Sequence, residues 1–240
     1  MKTTHILLFC ISIFCASVST MAQEENTIPT DTTAIDTTAK VNNKYGIRLG
    51  ADLSKFARTA FEKGYSGFEV MGDFRVTDKF YAAAEIGNEK KERFEENLNS
   101  ITSGSYAKLG FDYNAYNNWL GMENAIFVGL RYGFSTFKQE LLAYQVYTTN
   151  QAFPQTFKEA PMEYKGLTAH WAELIVGIKT EILNNLYLSL NLQLKRKIGE
   201  DEPENFANLY IPGFNRTYDF SEFGVGYGYT LSYLIPIFKK

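Results

Sequence analysis

The chain has very little cysteine and histidine. Both cysteines, Cys10 and Cys15, lie within the first 22 residues, and only one histidine, His170, lies beyond them. A chain without those residues has no thiol, which argues against a small scaffold held together by disulfides. Phosphate-binding loops, zinc-ligand spacings and dinucleotide-binding fingerprints are also missing. We therefore expect no cofactor and no metal ion.

Long apolar runs and an excess of positive charge are absent as well. No segment after residue 22 is apolar enough to be a transmembrane helix, so the sequence excludes a bundle of membrane helices. That part of the chain carries 23 basic and 27 acidic residues. This balance is not typical of a protein that binds nucleic acid, and we expect no nucleic-acid partner.

The first residues have the pattern of an export signal. Lys2 precedes an apolar run over 6–18, and small residues around Ala22 offer a cleavage site. Phenylalanine precedes each cysteine where a lipoprotein signal has a small residue, so a lipid anchor is not expected. We predict a signal peptide at 1–22, a flexible periplasmic lead-in at 23–44 and one folded domain at 45–240.

The stretch LYLSLNLQLKRKI at 186–198 places leucine at every second position. A period of two is that of a β-strand, although leucine favours helices. Seven other segments show the same alternation. They begin at residues 45, 65, 80, 106, 126, 172 and 224. The sequence therefore predicts eight strands.

Alternation alone is compatible with a soluble sandwich or a soluble barrel, which also has one polar and one apolar face. Two features favour a membrane. The predicted strands have about ten residues, the length of a tilted transmembrane strand. Short connections also alternate with long ones, as in outer-membrane barrels. The short ones are 77–79, 116–124 and 183–185, and the long ones are 54–64, 90–104, 138–167 and 199–220.

These features predict an all-β fold, an eight-stranded antiparallel up-and-down transmembrane β-barrel with both termini in the periplasm. Its polar face carries balanced charges, which we expect to pair across a lumen filled by side chains. The predicted luminal residues are Arg48, Asp52, Glu69, Asp73, Arg75, Glu85, Lys108, Asp112, Arg131, Glu173, Lys179, Glu181, Lys195 and Lys197. The residues predicted to face lipid are Leu186, Leu188, Leu190, Leu192, Leu194, Tyr227, Tyr229, Leu231 and Tyr233.

Aromatic residues lie near both ends of the predicted strands, where outer-membrane barrels have interfacial girdles. The predicted interface aromatics are Tyr113, Tyr116, Trp119, Phe137, Trp171 and Phe223.

Three stretches carry a resemblance to a known family. They are GFEVMGDFRVTDKFYAAAEIG at 67–87, GSYAKLGFDYNAYNNWLGMENAIFVGLRYGFSTF at 104–137 and NLYIPGFNRTYDFSEFGVGYGYTLSYLIP at 208–236. The chain resembles small exported proteins of Gram-negative bacteria that are catalogued as domain of unknown function 6048 and assigned to outer-membrane β-barrels. The resemblance implies fold and cellular location, and it brings no catalytic residue. One departure from many outer-membrane barrels is the C-terminus, where Lys239 and Lys240 follow Phe238.

Three functions are compatible with this sequence. The first is a non-enzymatic outer-membrane barrel that displays extracellular loops, with a protein or glycan partner at the aromatic-rich loop 138–167. Outer-membrane lipids, and the barrel-assembly machinery during biogenesis, would be its other partners. The second is an accessory subunit of an export or envelope-assembly machine. The third is a lipid-modifying enzyme, which would need a nucleophile such as Ser135 or Ser221 beside His170.

Overall fold

The computed structural model of the protein describes residues 44–95, 97–116, 124–145, 158–204, 206–218 and 220–239. The predicted signal peptide, the lead-in up to residue 43 and Trp119 lie outside these residues. So do most of the predicted turn at 116–124 and the middle of the predicted loop at 138–167.

The described residues form long strands, one helix and two very short strands. In chain order they are β1 (Lys44–Asp52), α1 (Leu53–Phe61), β2 (Tyr65–Arg75), β3 (Phe80–Glu95), β4 (Leu98–Asn114), β5 (Ala125–Tyr144), β6 (Lys158–Leu183), β7 (Leu186–Glu200), β8 (Tyr210–Ile211), β9 (Asn215–Arg216) and β10 (Phe223–Lys239). No described helix has the length and apolar character needed to cross a membrane.

The eight long strands form a closed antiparallel barrel in the order β1-β2-β3-β4-β5-β6-β7-β10, and β10 returns to β1. The all-β, eight-stranded fold is confirmed. The ladders are of unequal length. The β1–β2 ladder runs only from the Ile47–Phe74 pair to the Ala51–Val70 pair, whereas the β4–β5 ladder includes every residue of β4. The β8–β9 pair is a separate small hairpin.

One end of the barrel, here called the turn end, has the tight connections at 77–79 and 184–185 together with Lys44 and Lys239. Asn185 has φ 64, a left-handed conformation that asparagine tolerates better than most residues. The opposite end, called the loop end, has α1 and the connection between β7 and β10. The first described strand therefore begins, and the last one ends, at the end of the tight turns.

Two predicted loops are wrong because strands continue through them. β3 and β4 run to Glu95 and from Leu98, so the predicted loop at 90–104 is almost entirely strand. β5 has 20 residues and β6 has 26, which removes both sides of the predicted loop at 138–167. Polar residues occupy both faces of these extensions, so apolar alternation stops although the backbone pairing continues.

The other two predicted loops contain structure of their own. Residues 53–61 form α1, and the Asp52 side chain caps it by accepting a hydrogen bond from the Ser54 N–H at 2.8 Å. The predicted loop at 199–220 contains the β8–β9 hairpin. The tip of that hairpin, 211–214, is buried.

An apolar cluster lies inside the barrel near the loop end. Its members are Tyr106, Phe137, Leu167, Ala169, Trp171, Ile211 and Phe214. Phe137 and Trp171 were predicted as interface aromatics, and that prediction is wrong because both are buried in this cluster. Trp171 precedes Glu173 by two residues and Phe137 follows Arg131 by six, so strand periodicity places both on the inward face.

The closing β1–β10 seam can be tested by cross-linking. Leu49 and Tyr233 are paired across it, and both side chains are half exposed on the outside. Paired Cα atoms in an antiparallel ladder are about 4.5–5.5 Å apart, within disulfide range. In the chain without residues 1–22, which has no cysteine, the double variant Leu49→Cys/Tyr233→Cys should form a disulfide detectable by mass spectrometry of its peptides.

Val70→Cys/Ile86→Cys is the matched control, since those residues are paired in the neighbouring β2–β3 hairpin and are also exposed outside. A link in the control without a link at the seam would contradict ring closure.

Candidate functional site

Twelve of the fourteen predicted luminal residues are buried inside the barrel. They are Arg48, Asp52, Glu69, Asp73, Arg75, Glu85, Lys108, Asp112, Arg131, Glu173, Lys179 and Lys195. The other two are half-buried at the ends: Glu181 forms an ion pair with Lys44 at 3.3 Å, and Lys197 forms one with Glu200.

Asp73 organises the charges nearest the turn end. Its carboxylate accepts hydrogen bonds from Arg48 Nε at 2.9 Å and from Lys179 Nζ at 2.7 Å. The Arg48 guanidinium lies 4.7 Å from the centre of the Tyr187 ring, within cation–π range. Asp73 therefore joins β1, β2 and β6 across the lumen.

The middle of the barrel contains a larger network around Glu85 and Lys108. Glu85 contacts Lys108 at 2.6 Å and Arg131 at 3.1 Å. Lys108 also lies 3.1 Å from Glu69 and 3.8 Å from Glu173. Each of these charges has an opposite charge within 4 Å, which is what makes such burial tolerable.

Little space remains within this network. The void between Glu85, Arg131, Ser189 and neighbouring inward side chains has a volume of about 10 Å³. That is about the space for one water molecule. The interior at this level is packed with side chains and is not a channel.

The hairpin tip at 211–214, with Tyr210 before it, closes the loop end and is called the plug here. Its Phe214 ring packs edge-on against Trp171, with ring centres 5.9 Å apart. Lys195 Nζ donates to the Gly213 carbonyl at 2.6 Å. The plug is thus held by apolar packing of Ile211 and Phe214 in the cluster and by a polar bond to β7.

Gly213 is the one plug position where only glycine fits. It has φ +82, and a Cβ atom there would lie 2.6 Å from Tyr106 Cγ and 3.0 Å from Trp171 Cη2. Any side chain would be strained and would push the plug away from the apolar cluster.

Glu89 on β3 is the principal anchor of the plug. Its carboxylate accepts bonds from the Tyr65 hydroxyl at 2.8 Å, the Tyr210 hydroxyl at 2.7 Å and the Gly213 N–H at 2.9 Å. It also forms an ion pair with Lys55 of α1. This fully buried carboxylate therefore connects β2, β3, α1 and the plug.

Sequence reasoning missed Glu89 and Lys55. Glu89 follows Glu85 by four residues on one strand and so shares its inward face, but the predicted segment ended at residue 88. Lys55 lies in a segment predicted as loop. Its partner is 34 residues away, and no local spacing indicates that contact.

The outward side chains contrast with this interior. Leu190, Leu192 and Leu194 are about half exposed or more, as are Tyr227 and Tyr233. Leu186, Leu188 and Leu231 are partly covered on the same outer face, and Tyr229 is exposed there. Tyr116 and Phe223 are exposed and Tyr113 is partly exposed, so three predicted interface aromatics lie on the outer surface.

A comparison with family models matches residues 4–240, nearly the whole chain, to Domain of unknown function (DUF6048). The chain belongs to the DUF6048 family. A search of curated proteins found no match. What this DUF6048 chain does must therefore be argued from its own geometry.

The residues proposed for a lipid-modifying site are not brought together in this DUF6048 barrel. His170 points outward, and its Nδ1 lies 2.7 Å from the Tyr132 hydroxyl. Ser135 is buried inside, where its hydroxyl donates to the Ser105 carbonyl at 3.3 Å. Ser221 lies beyond the hairpin and accepts a bond from the Phe223 N–H. Among the residues that the structure describes, no group of acidic, histidine or cysteine side chains could hold a metal ion.

Removing the Glu89 carboxylate should release the plug. Glu89→Ala leaves Lys55 buried without its partner, which typically costs about 3–5 kcal/mol. With Trp119→Phe as background, Trp171 becomes the single tryptophan of the DUF6048 chain. Loss of its contact with Phe214 should shift its emission to longer wavelength and lower the midpoint of urea unfolding in detergent.

Glu95→Ala on the same strand is the control, because the Glu95 side chain is 58% exposed and pairs with Arg93 at the strand tip. It should leave both readings unchanged within about 0.5 kcal/mol. Identical Trp171 emission in Glu89→Ala and the parent protein would show that Glu89 does not hold the plug.

Proposed function

We propose that the protein is a non-enzymatic outer-membrane β-barrel that has a sealed interior and presents a binding surface at its loop end. The observation that carries this proposal is the distribution of polar and apolar side chains over the two faces of the barrel, which is the reverse of that in a water-soluble barrel. Apart from the apolar cluster near the loop end, charged and polar side chains fill most of the inside, and large apolar side chains cover the outside. A water-soluble barrel has the opposite arrangement.

The outer apolar surface has the extent that a bilayer requires. On β5 the exposed apolar side chains run from Ile126 through Val128, Leu130 and Tyr132 to Phe134, a span of nine residues. Transmembrane strands need about 9–11 residues. Soluble monomers rarely expose a continuous apolar surface above a few hundred Å², whereas this surface continues around the barrel.

The apolar surface ends at a row of polar residues on four neighbouring strands. Asn88 is paired with Ser105, Ser105 with Thr136, and Thr136 with Thr168. Further toward the loop end the outward positions include charged residues such as Lys90 and Lys138. A common boundary across four strands is expected where a membrane ends, and it supports placing the long ends of β3 to β6 outside the lipid.

The predicted signal peptide supports export. The start of β1 and the end of β10, which both lie at the turn end, support placing that end in the periplasm. In this arrangement the partners are outer-membrane lipids and, during biogenesis, the barrel-assembly machinery. The separation of His170 from Ser135 by the barrel wall favours a binding role over lipid chemistry.

The lipid-facing assignment can be tested at two adjacent residues. Leu190 is half exposed outside, whereas Asn191 points inward and accepts a bond from Gln193 Nε2 at 2.9 Å. In lipid vesicles, an environment-sensitive fluorophore on Leu190→Cys should be quenched by bromine-labelled acyl chains. The same label on Asn191→Cys, the matched control, should escape quenching. Equal quenching at both positions, or at neither, would refute the membrane orientation.

We also predict that the barrel, because its interior is sealed, does not conduct ions. Because the mid-barrel void holds about one water molecule, planar-bilayer recordings of the refolded protein should show no sustained open state. A porin reconstituted in the same bilayers serves as the positive control. Steady porin-sized conductance from a monomer would contradict the sealed barrel.

A further inference from the structure

A cavity of about 730 Å³ opens at the loop end, outside the plug. Three separate parts of the chain line it: α1 with the following turn, the tip of β3, and the residues flanking the plug. Its volume lies within the range of about 300–1,000 Å³ that is typical of small-molecule sites. The proposed function assigns no ligand to it.

The cavity concentrates positive charge in a chain that is acidic overall. Its lining includes the basic residues Arg58, Lys63, Lys91, Arg93 and Arg216, against three glutamates. The whole chain has a formal net charge of −3. This local excess of cations favours an anionic ligand.

Two glutamates are engaged by cations at the edge of the cavity. Glu62 accepts hydrogen bonds from Arg58 at 2.8 Å and from Lys91 at 2.6 Å. Partial burial alone would raise the pKa of the Glu62 carboxyl, but these two bonds outweigh that effect and lower the pKa. Glu95 accepts two bonds from Arg93. Each of these glutamates is thus already bonded to the cavity's own cations.

The guanidinium groups keep donors available. Arg58 bonds to Glu62 through Nε, and its guanidinium carbon lies 3.8 Å from the centre of the Tyr65 ring. The Arg216 guanidinium makes no hydrogen bond to any residue in the described part of the chain, and its central carbon lies 5.3 Å from the centre of the Tyr218 ring. Rings beneath a guanidinium hold it in place while its edge stays free to bind an oxyanion in two-point fashion.

We propose that this cavity binds a sugar-sized anion carrying a phosphate or a carboxylate, with Arg216 and Arg58 as its principal contacts. The ring of Phe94, 62% exposed at the rim, offers an apolar surface for the body of such a molecule. This inference deepens the proposed function and rests on it only in placing the cavity outside the cell. Free phosphate compounds and acidic units of a surface glycan share the required chemistry.

The experiment uses the full mature chain refolded in neutral detergent. Binding of pyrophosphate, glucose 1-phosphate and glucuronate is measured by isothermal titration calorimetry at low and high salt. At least one should bind, more weakly at high salt. Preference for pyrophosphate or glucose 1-phosphate would indicate a phosphate compound, and preference for glucuronate would indicate an acidic glycan unit.

Arg216→Ser should weaken binding about tenfold or more, as expected for loss of a charged hydrogen-bonding group. Arg196→Ser is the matched control, because Arg196 is also exposed and lies 5.9 Å from the centre of an aromatic ring, that of Phe223, but outside the cavity. It should change binding less than about twofold.

Absence of binding for all three anions, or equal loss in both variants, would overturn the proposal. A gel-mobility shift between unheated and boiled samples verifies that each protein is folded. The fluorophore quenching at Leu190 and Asn191 reports membrane orientation independently, so failure of the anion site and failure of the membrane assignment are distinguishable.

Discussion

The structure depends on the pairing of opposite charges inside the barrel: ten of the twelve buried network residues form ion pairs with one another, and the Asp52 side chain accepts bonds from the Ser54 and Tyr229 N–H groups. The twelve buried network residues divide evenly into six basic and six acidic side chains. Several pairs lie directly opposite each other on neighbouring strands: Arg48 with Asp73, Glu85 with Lys108, and Glu173 with Lys195. A one-residue slip of any strand would move its charges to the outer face and its apolar side chains inward. The ion pairs therefore specify the register as well as filling the lumen.

The same alternation explains how far the fold could be predicted from the sequence. Where one face is apolar and the other charged, as in 186–194, period-two spacing identifies the strand and both faces. In β5 after Phe134 the outward residues become polar as well. The alternation of apolar and polar residues that identifies a strand in the sequence then disappears, although backbone pairing continues. Its residue type predicts Trp171 at the membrane interface. Its spacing of two residues from Glu173, however, places it on the inward face of the strand.

The plug could not be predicted in this way, because its contacts are distant in sequence. Gly213 and Glu89 are 124 residues apart, and Tyr210 and Glu89 are 121 apart. The Pro-Gly pair at 212–213 is typical of an exposed turn. It is buried because Glu89 and Lys195 provide polar partners and because Trp171 and Tyr106 provide an apolar surface. Only the closed barrel brings those four residues together.

Glu89 also explains why the cavity is located where it is. Its carboxylate binds Lys55 of α1, belongs to β3 and accepts bonds from the plug. The helix α1 and strand β3 carry Arg58 and Arg93 to the cavity, and β9, directly after the plug, carries Arg216. The interaction that seals the lumen therefore also sets the distances between the arginines. Because the cavity is built on anchored elements and not on a free loop, its cations are held apart before any ligand arrives, which reduces the ordering cost of binding.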